Sequence, residues 1–204
     1  MLDHYLRGAK DYALAFLASP LYRIHPITIS FIGLGFGLIA GFFLMQQQYW
    51  LGFVFWLINR ILDGLDGTVA RQTGRQSDLG GYIDILFDFA IYAFIPISLT
   101  VGAPSTEAFL SLSFLLASFY INAASWMYLA AILEKRRQGA QAKGELTTIT
   151  MPSGLIGGAE TVLFFSLFMI WPQQLILLFV SMGILVLVTT GQRLVWAARY
   201  LNKY

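Results

Sequence analysis

The chain has 204 residues, of which 57% are hydrophobic and 12% are charged, with a net charge of +2. Soluble domains carry about 25% charged residues, so this composition excludes an ordinary soluble protein and predicts an integral membrane protein. The absence of cysteine excludes disulfides and thiolate metal sites.

The first 22 residues differ from the rest of the chain. Apolar residues recur there every three or four positions, from Leu2 to Phe16, with charged residues between them. This pattern is typical of an amphipathic helix in the membrane interface, although an ordinary cytosolic extension would also fit it. We predict an interfacial helix at 1–22 and a membrane domain at 23–204.

The membrane domain contains six long apolar stretches. A helix needs about 20 mostly apolar residues to span a bilayer. The stretches lie at 27–45, 49–71, 80–101, 107–133, 152–171 and 174–198. They predict an all-α fold with six transmembrane helices in one domain.

The basic residues predict the orientation of these helices. All 13 lysines and arginines belong to the side of the membrane that holds both termini, and Arg60 lies in the half of the second span nearest that side. By the positive-inside rule this side is cytoplasmic. Both termini are therefore expected in the cytosol.

Four aspartates interrupt the second and third apolar stretches. A carboxylate within a transmembrane segment costs about 2.5–3.5 kcal/mol on insertion scales, so it indicates a functional site. Asp63 and Asp66 are three residues apart, and Asp84 and Asp88 are four apart, so each pair shares one helix face. A short turn makes the two helices antiparallel neighbours, and the four carboxylates are expected to converge in one cavity.

The residue types around the aspartates favour a metal and a phosphate group. Four carboxylates cannot all stay ionised at close range without cations, and oxygen ligands favour hard cations such as Mg²⁺, Mn²⁺ or Ca²⁺. Gly67 allows close approach of a ligand, and the N–H groups at Gly80 and Gly81 are candidates for anion binding. Arg71 is placed to pair with a phosphate. This combination predicts a pyrophosphate site near the cytosolic surface.

The aspartates belong to a longer pattern, Asp-x2-Asp-Gly-x2-Ala-Arg-x8-Gly-x3-Asp-x3-Asp. The sequence resembles the CDP-alcohol phosphotransferase family, whose signature this is, and it matches all eight fixed positions. The matching residues are Asp63, Asp66, Gly67, Ala70, Arg71, Gly80, Asp84 and Asp88. The motif spans predicted helices two and three of six, which is also the arrangement of the family.

The resemblance implies a role for each aspartate. Asp63, Asp66 and Asp84 would hold two divalent cations, Mg²⁺ or Mn²⁺, with Asp88 completing the second site; Ca²⁺ would substitute or inhibit. Asp88 would also be the catalytic base that takes the proton from the acceptor alcohol. The donor would be CDP-diacylglycerol or a related CDP-linked lipid, and CMP would leave.

The resemblance also assigns the nucleotide and pyrophosphate contacts. They would come from Asp66, Gly67, Ala70, Arg71 and Gly80. The family often begins its first span with Pro-Asn-x-x-Thr/Ser.

This chain departs from that element at one position. Pro26 and Ser30 fit it, but Ile27 stands where the family has asparagine. Thr28 or Ser30 would have to replace the contact of that asparagine, and Ser30 is our candidate for the nucleotide site.

Three further residues are candidates for binding the acceptor. Arg137 and Arg193 are the closest analogues of basic residues that hold an acceptor phosphate in similar proteins, although the basic run at 135–137 would also arise from topology alone. Glu160, in the fifth apolar stretch, would contact the acceptor or form an ion pair with Arg60 or Arg193.

The sequence thus predicts a phospholipid synthase that transfers a phosphatidyl group to a small polar alcohol. Glycerol 3-phosphate, inositol phosphate, inositol and serine all remain possible acceptors, and the basic loop favours a phosphorylated one. The resemblance implies a homodimer in the prokaryotic inner (cytoplasmic) membrane, with its active site facing the cytoplasm. The expected partners are the lipid bilayer and the two substrates, with no nucleic acid.

The main rival prediction is a cation transporter or channel, because clustered carboxylates also line ion pathways. All four aspartates lie toward one face, which argues against a continuous path. An inactive scaffold is a third alternative, against which the intact Asp88 and Arg71 argue.

Overall fold

The computed structural model describes residues 16–138 and 154–202. The α-helices with both ends in these ranges are α1 (Pro26–Met45), α2 (Tyr49–Thr73), α3 (Asp78–Gly102), α4 (Thr106–Lys135), α5 (Gly158–Ile170) and α6 (Leu175–Leu201). No strand occurs in the described ranges, so the prediction of an all-α fold is confirmed. Most of the predicted interfacial helix lies outside the described residues; its end is helical at 16–18 and continues into a 3₁₀ turn at Ser19–Leu21.

Local sequence signals explain where the helices that carry the aspartates begin and end. Pro26 occupies the first turn of α1, where its missing N–H has no helical partner to lose. Gly74, with a φ of 66°, ends α2 in the left-handed conformation that glycine adopts most readily. Ser77 then caps α3, and Ser105 caps α4, each accepting a backbone N–H from three residues ahead.

In the described part of the chain, four helices are long and apolar enough to cross a membrane by length and composition: α1, α3, α4, and α6 together with the turn before it. Helix α2 has 25 residues but carries four charged side chains, Arg60, Asp63, Asp66 and Arg71, and α5 has only 13 residues. The arrangement with six spans therefore remains a prediction, as do the cytosolic termini.

The fifth helix begins several residues later than predicted, at Gly158. Side chains of α6 bind the backbone just before it: the N–H of Ile156 donates to Thr189 Oγ1 (2.9 Å) and that of Leu155 to Gln192 Oε1 (3.1 Å). Because these N–H groups already have partners, the segment needs no helix to satisfy them.

Helix α1 is the centre of the half of the molecule that carries the aspartates. It packs along both α2 and α3, whereas α2 and α3 make few close backbone contacts with each other. The expectation that α2 and α3 are direct neighbours is therefore wrong at the level of the backbone, because α1 lies against both of them. The resulting gap is spanned by side chains.

Aromatic side chains fill the core beside this gap. Phe165 of α5 stacks on Trp56 of α2, with ring centroids 6.0 Å apart, and meets Tyr92 of α3 edge-on at 5.4 Å. Phe168 continues the cluster to Phe179 of α6 at 4.9 Å. This packing fixes Tyr92, which contacts the charged residues described next.

The two ends of the helix bundle differ in charge. At one end the loops after α1 and α3 meet, where Gln47 Nε2 donates to the carbonyl of Gly102 (2.7 Å). At the other end Arg75 binds the carbonyl of Tyr22, and Arg136 binds the carbonyl of Leu201. The second end carries the basic residues, as the sequence predicts.

Candidate active site between helices α2 and α3

Three of the four motif aspartates line one small cavity beside α1. Asp63 and Asp66 reach it from α2, and Asp84 reaches it from α3. The complete lining is Ser30, Gly33, Leu34, Asn59, Arg60, Asp63, Asp66, Asp84 and Phe87. The sequence predicts all four carboxylates in one cavity; the structure brings three of them to it and leaves Asp88 outside its lining.

Asp88 joins the other aspartates through Arg60. Arg60 Nη1 lies 2.7 Å from Asp88 Oδ1 and 3.5 Å from Asp63 Oδ2, so one guanidinium contacts both helices. The Arg60 side chain is only 8% exposed. Tyr92 adds a contact through its hydroxyl (3.3 Å), and its ring centroid lies 5.3 Å from the guanidinium carbon.

Asn59 anchors Arg60 to α1. Its Nδ2 donates to the carbonyl of Gly33 (2.8 Å), while its Oδ1 accepts from Arg60 Nε (2.9 Å). Asn59 is buried, so both halves of its amide need partners and the side chain has little freedom. Neither Asn59 nor the pairing of Arg60 with Asp88 is among the sequence predictions. The sequence feature that could have indicated this pairing is Arg60 itself, a charged residue three positions before Asp63 on the same helix face.

Ser30 contacts an aspartate. Its hydroxyl donates to Asp66 Oδ2 at 2.5 Å and also lies 3.3 Å from the carbonyl of Pro26. Asp66 is buried, and this bond ties it to α1. The structure thus places Ser30 in the aspartate cavity, where it orients a carboxylate.

Gly67, Ala70 and Arg71 occupy the last turns of α2, beyond Asp66. Arg71 is exposed and donates from Nη2 to Thr68 Oγ1 (3.2 Å). A Cβ on Gly67 would lie 3.2 Å from Arg71 Nη1, which is closer than ordinary contacts. Gly67 therefore leaves room for the guanidinium to lie along the helix.

The sequence predicts that the N–H of Gly80 is free to bind an anion, but in the structure this N–H already has a partner. That N–H donates to Ser77 Oγ (3.1 Å), and the N–H of Gly81 donates to the Ser77 carbonyl (3.1 Å). The expectation missed Ser77 as the cap of α3. An anion would have to displace the Ser77 hydroxyl to reach the Gly80 N–H.

The acceptor candidates lie on other elements. Arg193 of α6 is buried and donates to Asn122 Oδ1 of α4 (2.8 Å), and Arg137 is exposed just beyond α4. Glu160 accepts the backbone N–H of Gly157 (3.1 Å), which caps the start of α5. Within the described chain, none of the three lines the aspartate cavity.

The donor chemistry of the cavity suits a hard divalent cation. Asp63, Asp66 and Asp84 offer carboxylate oxygens, which Mg²⁺ and Mn²⁺ prefer. In the described ranges, however, no three acidic, histidine or cysteine side chains are grouped as a finished metal site. Asp88 already contacts Arg60, so a cation there would compete with that contact, whereas Ser30 engages only Oδ2 of Asp66.

A family model described as CDP-alcohol phosphatidyltransferase matches residues 23–200. The match includes all eight motif positions and every helix from α1 to α5. The chain belongs to the CDP-alcohol phosphatidyltransferase family. The resemblance inferred from the motif is therefore confirmed.

Two curated proteins are similar to this CDP-alcohol phosphatidyltransferase. The Inner membrane protein YnjF of Escherichia coli (strain K12) is 33% identical over 174 residues, covering 85% of this chain and 82% of that protein. The Archaetidylinositol phosphate synthase of Pyrococcus horikoshii is 34% identical over 80 residues, covering 39% of this chain and 42% of that protein.

The family and the apolar helices together give a coarse function. The protein is an integral membrane enzyme that transfers substituted phosphate groups from a CDP-alcohol in phospholipid synthesis. Members of the family generally depend on divalent metals.

Proposed function

We propose that this enzyme transfers a phosphatidyl group from CDP-diacylglycerol, or a related CDP-linked lipid, to the hydroxyl of a small polar alcohol and releases CMP. The observation that carries the proposal is the cavity where Asp63, Asp66 and Asp84 meet in a chain of this family. Carboxylates grouped in an apolar bundle indicate a functional site, and in a chain of this family they are suited to binding a pyrophosphate through cations.

Asp63, Asp66 and Asp84 would hold two divalent cations, Mg²⁺ or Mn²⁺, with Asp88 completing the second site. When bound, such cations stabilise negative charge on the pyrophosphate and on the departing CMP. Ser30 supports this arrangement by holding Asp66 from α1. Ca²⁺ would substitute for these ions or inhibit.

Asp88 is the proposed base. It would accept the proton of the acceptor hydroxyl as that oxygen bonds to the lipid-linked phosphorus and the bond from phosphorus to CMP breaks. In the metal-free protein Arg60 holds one carboxylate oxygen, Oδ1, and a cation would take its place, so Oδ2 is left for the proton in either state. The Asp88 side chain is 29% exposed, so a polar alcohol can reach it.

The nucleotide and pyrophosphate would lie along the end of α2 and the start of α3. Gly67 and Ala70 provide a surface of small residues, and Arg71 can turn from Thr68 to a phosphate oxygen. Gly80 would contact the nucleotide by exchanging its Ser77 partner. Ser30 acts in this site through Asp66.

The acceptor would be bound by Arg193, Arg137 and Glu160. Arg193 is the strongest of these, because it is buried on α6 and its Nε has no hydrogen-bond partner among the described residues. A phosphorylated alcohol such as glycerol 3-phosphate or inositol phosphate would supply that partner. The archaetidylinositol phosphate synthase similarity favours the same class of acceptor.

The cavity is proposed to open toward the cytoplasm of a prokaryotic inner membrane, with the enzyme as a homodimer. The basic end of the bundle supports this orientation, and the inner-membrane similarity supports the location.

The test is release of CMP by purified protein with CDP-diacylglycerol, Mg²⁺ or Mn²⁺, and a panel of alcohols. The expected result is CMP release that requires one of the alcohols, with the new lipid identified by mass spectrometry. A transporter would instead move Mn²⁺ into sealed liposomes. Ion flux without CMP release for any alcohol would overturn the proposal.

A further inference from the structure

Arg60 connects two carboxylates that belong to helices with few backbone contacts. One of its nitrogens, Nη1, lies within reach of both Asp88 Oδ1 and Asp63 Oδ2, at 2.7 and 3.5 Å. The remaining contacts of the side chain come from Asn59 at Nε and from the ring and hydroxyl of Tyr92. The guanidinium is thus both nearly buried and held from several sides.

The guanidinium of Arg60 supplies, near Asp63 and Asp88, the positive charge that a bound cation would otherwise supply. Two neighbouring, half-buried carboxylates repel each other, and a positive charge between them allows both to stay ionised. Because α2 and α3 hardly touch through their backbones, the contacts of Arg60 with Asp88 and Tyr92 are a main link between them at this level of the bundle. Breaking a buried ion pair by removing one partner leaves an unbalanced charge and is strongly destabilising.

We propose that Arg60 is a positioning residue that takes the place of a divalent cation at Asp63 and Asp88 and competes with that cation for the same carboxylates. The inference rests on the proposed function, in which these two residues are metal ligands. A cation held by Asp88 would lie beside Arg60 Nη1, which is 2.7 Å from Oδ1, and the two positive charges would repel each other.

Asn59 determines how far Arg60 can move when it is displaced. The bond from Arg60 Nε to Asn59 Oδ1 holds the base of the guanidinium, and Asn59 is itself fixed to the Gly33 carbonyl of α1. Because the guanidinium is rigid and planar, this bond limits Arg60 to a small rotation of the whole group when Nη1 leaves Asp88. The metal-free protein keeps its carboxylates ordered, and the metal-bound form keeps Arg60 nearby.

The experiment measures Mn²⁺ binding alone, without lipid or acceptor, to purified full-length protein in detergent. Isothermal titration calorimetry gives the dissociation constant, and thermal unfolding with and without Mn²⁺ gives the stabilisation by the ion. The variants are Arg60→Gln and Arg60→Lys. Arg193→Gln is the matched control, because it removes another buried arginine whose described side-chain partner is Asn122.

Removal of a competing cation should tighten Mn²⁺ binding, by about tenfold for a typical coupling between two ligands. We expect this tighter binding for Arg60→Gln. Compared with the wild type, its melting temperature should be lower without Mn²⁺ and should rise more when Mn²⁺ is added. Arg60→Lys keeps the charge but loses the planar group that contacts Asn59 and Asp88 at once. Its affinity for Mn²⁺ should therefore lie between those of the wild type and Arg60→Gln. Arg193→Gln should keep the wild-type affinity.

A merely structural arginine would lower the melting temperature equally with and without Mn²⁺ and leave the dissociation constant unchanged. Equal or weaker Mn²⁺ binding by Arg60→Gln would therefore overturn this inference while leaving the metal site in place. If Arg60→Gln does not fold, Arg60→Lys serves instead, and a Mn²⁺ affinity equal to that of the wild type would overturn the inference. Absence of Mn²⁺ binding in the wild type as well would overturn the metal site of the proposed function itself.

Discussion

Asp88 differs from the other motif aspartates in its surroundings. It does not line the cavity that the other three share, and its partner is a guanidinium from the neighbouring helix. A carboxylate held at one oxygen by an arginine keeps a fixed orientation and presents its second oxygen to a substrate. This geometry suits a residue that must meet an incoming hydroxyl.

Replacing Asp88 with asparagine should nearly abolish CMP release while Mn²⁺ binding partly survives. The amide keeps an oxygen for Arg60 but cannot accept the proton of the alcohol, and a general base contributes about 10²- to 10⁴-fold to a rate. The measurement is the turnover rate together with Mn²⁺ titration. Asp78→Asn is the control, since Asp78 is exposed in the first turn of the same helix. Full activity in Asp88→Asn would show that another group takes the proton.

The motif residues could be read from the sequence because their spacing is fixed by the helix. The three-residue spacing of Asp63 and Asp66 predicts that they share a helix face, whereas of the pair on α3 only Asp84 reaches the same cavity. The partners of the aspartates could not be read in the same way. Ser30 and Asn59 reach the cavity through the packing of α1 on α2, which depends on tertiary structure.

Helix α1 packs on both α2 and α3, and small residues allow this close packing. Gly102 at the end of α3 shows how tight this packing is. A Cβ there would lie 2.5 Å from the Leu44 carbonyl oxygen and 3.2 Å from that of Met45, both in the backbone of α1. Backbone atoms cannot turn away as the end of a side chain can, so the position requires glycine.

Replacing Gly102 with alanine should therefore destabilise the protein by about 1–3 kcal/mol, the usual range for overpacking in a core. The matched control is Gly35→Ala in α1, where no neighbouring atom lies within 4 Å of the added Cβ. Gly35→Ala should be neutral or slightly stabilising, because alanine favours a helix. Thermal unfolding in detergent measures both. Equal melting temperatures for the two variants would mean that α3 can shift along α1 without loss.

At the scale of elements, the sequence predicted the helices well where caps mark their ends. Gly74 and Ser77 lie between α2 and α3 where turn residues are expected. The start of α5 was missed because Thr189 and Gln192 of α6, more than thirty residues away, bind the backbone before it. Hydropathy alone cannot detect such a partner, since the segment is apolar in either conformation.

The whole molecule has one basic and one nearly uncharged end. Loops that contain Arg75 and Arg136 lie at the basic end. The other end contains a groove lined by residues 47–51, 169, 170, 172 and 173, with no lysine or arginine in its lining. If the basic end faces the cytosol, the aspartate cavity lies on the side where CTP-derived nucleotides and phosphorylated alcohols are made.

The absence of cysteine makes this orientation directly testable. Single cysteines at Gln76, between α2 and α3, and at Gln173, before α6, replace exposed residues at opposite ends of the bundle. In intact bacterial spheroplasts a membrane-impermeant maleimide should label Gln173→Cys and leave Gln76→Cys unlabelled. After permeabilisation both should react, and the cysteine-free parent controls for background. The reverse labelling pattern would place the aspartate cavity on the outer side of the membrane. That result would contradict the orientation expected from the positive-inside rule and from a CDP-lipid supplied on the cytosolic side.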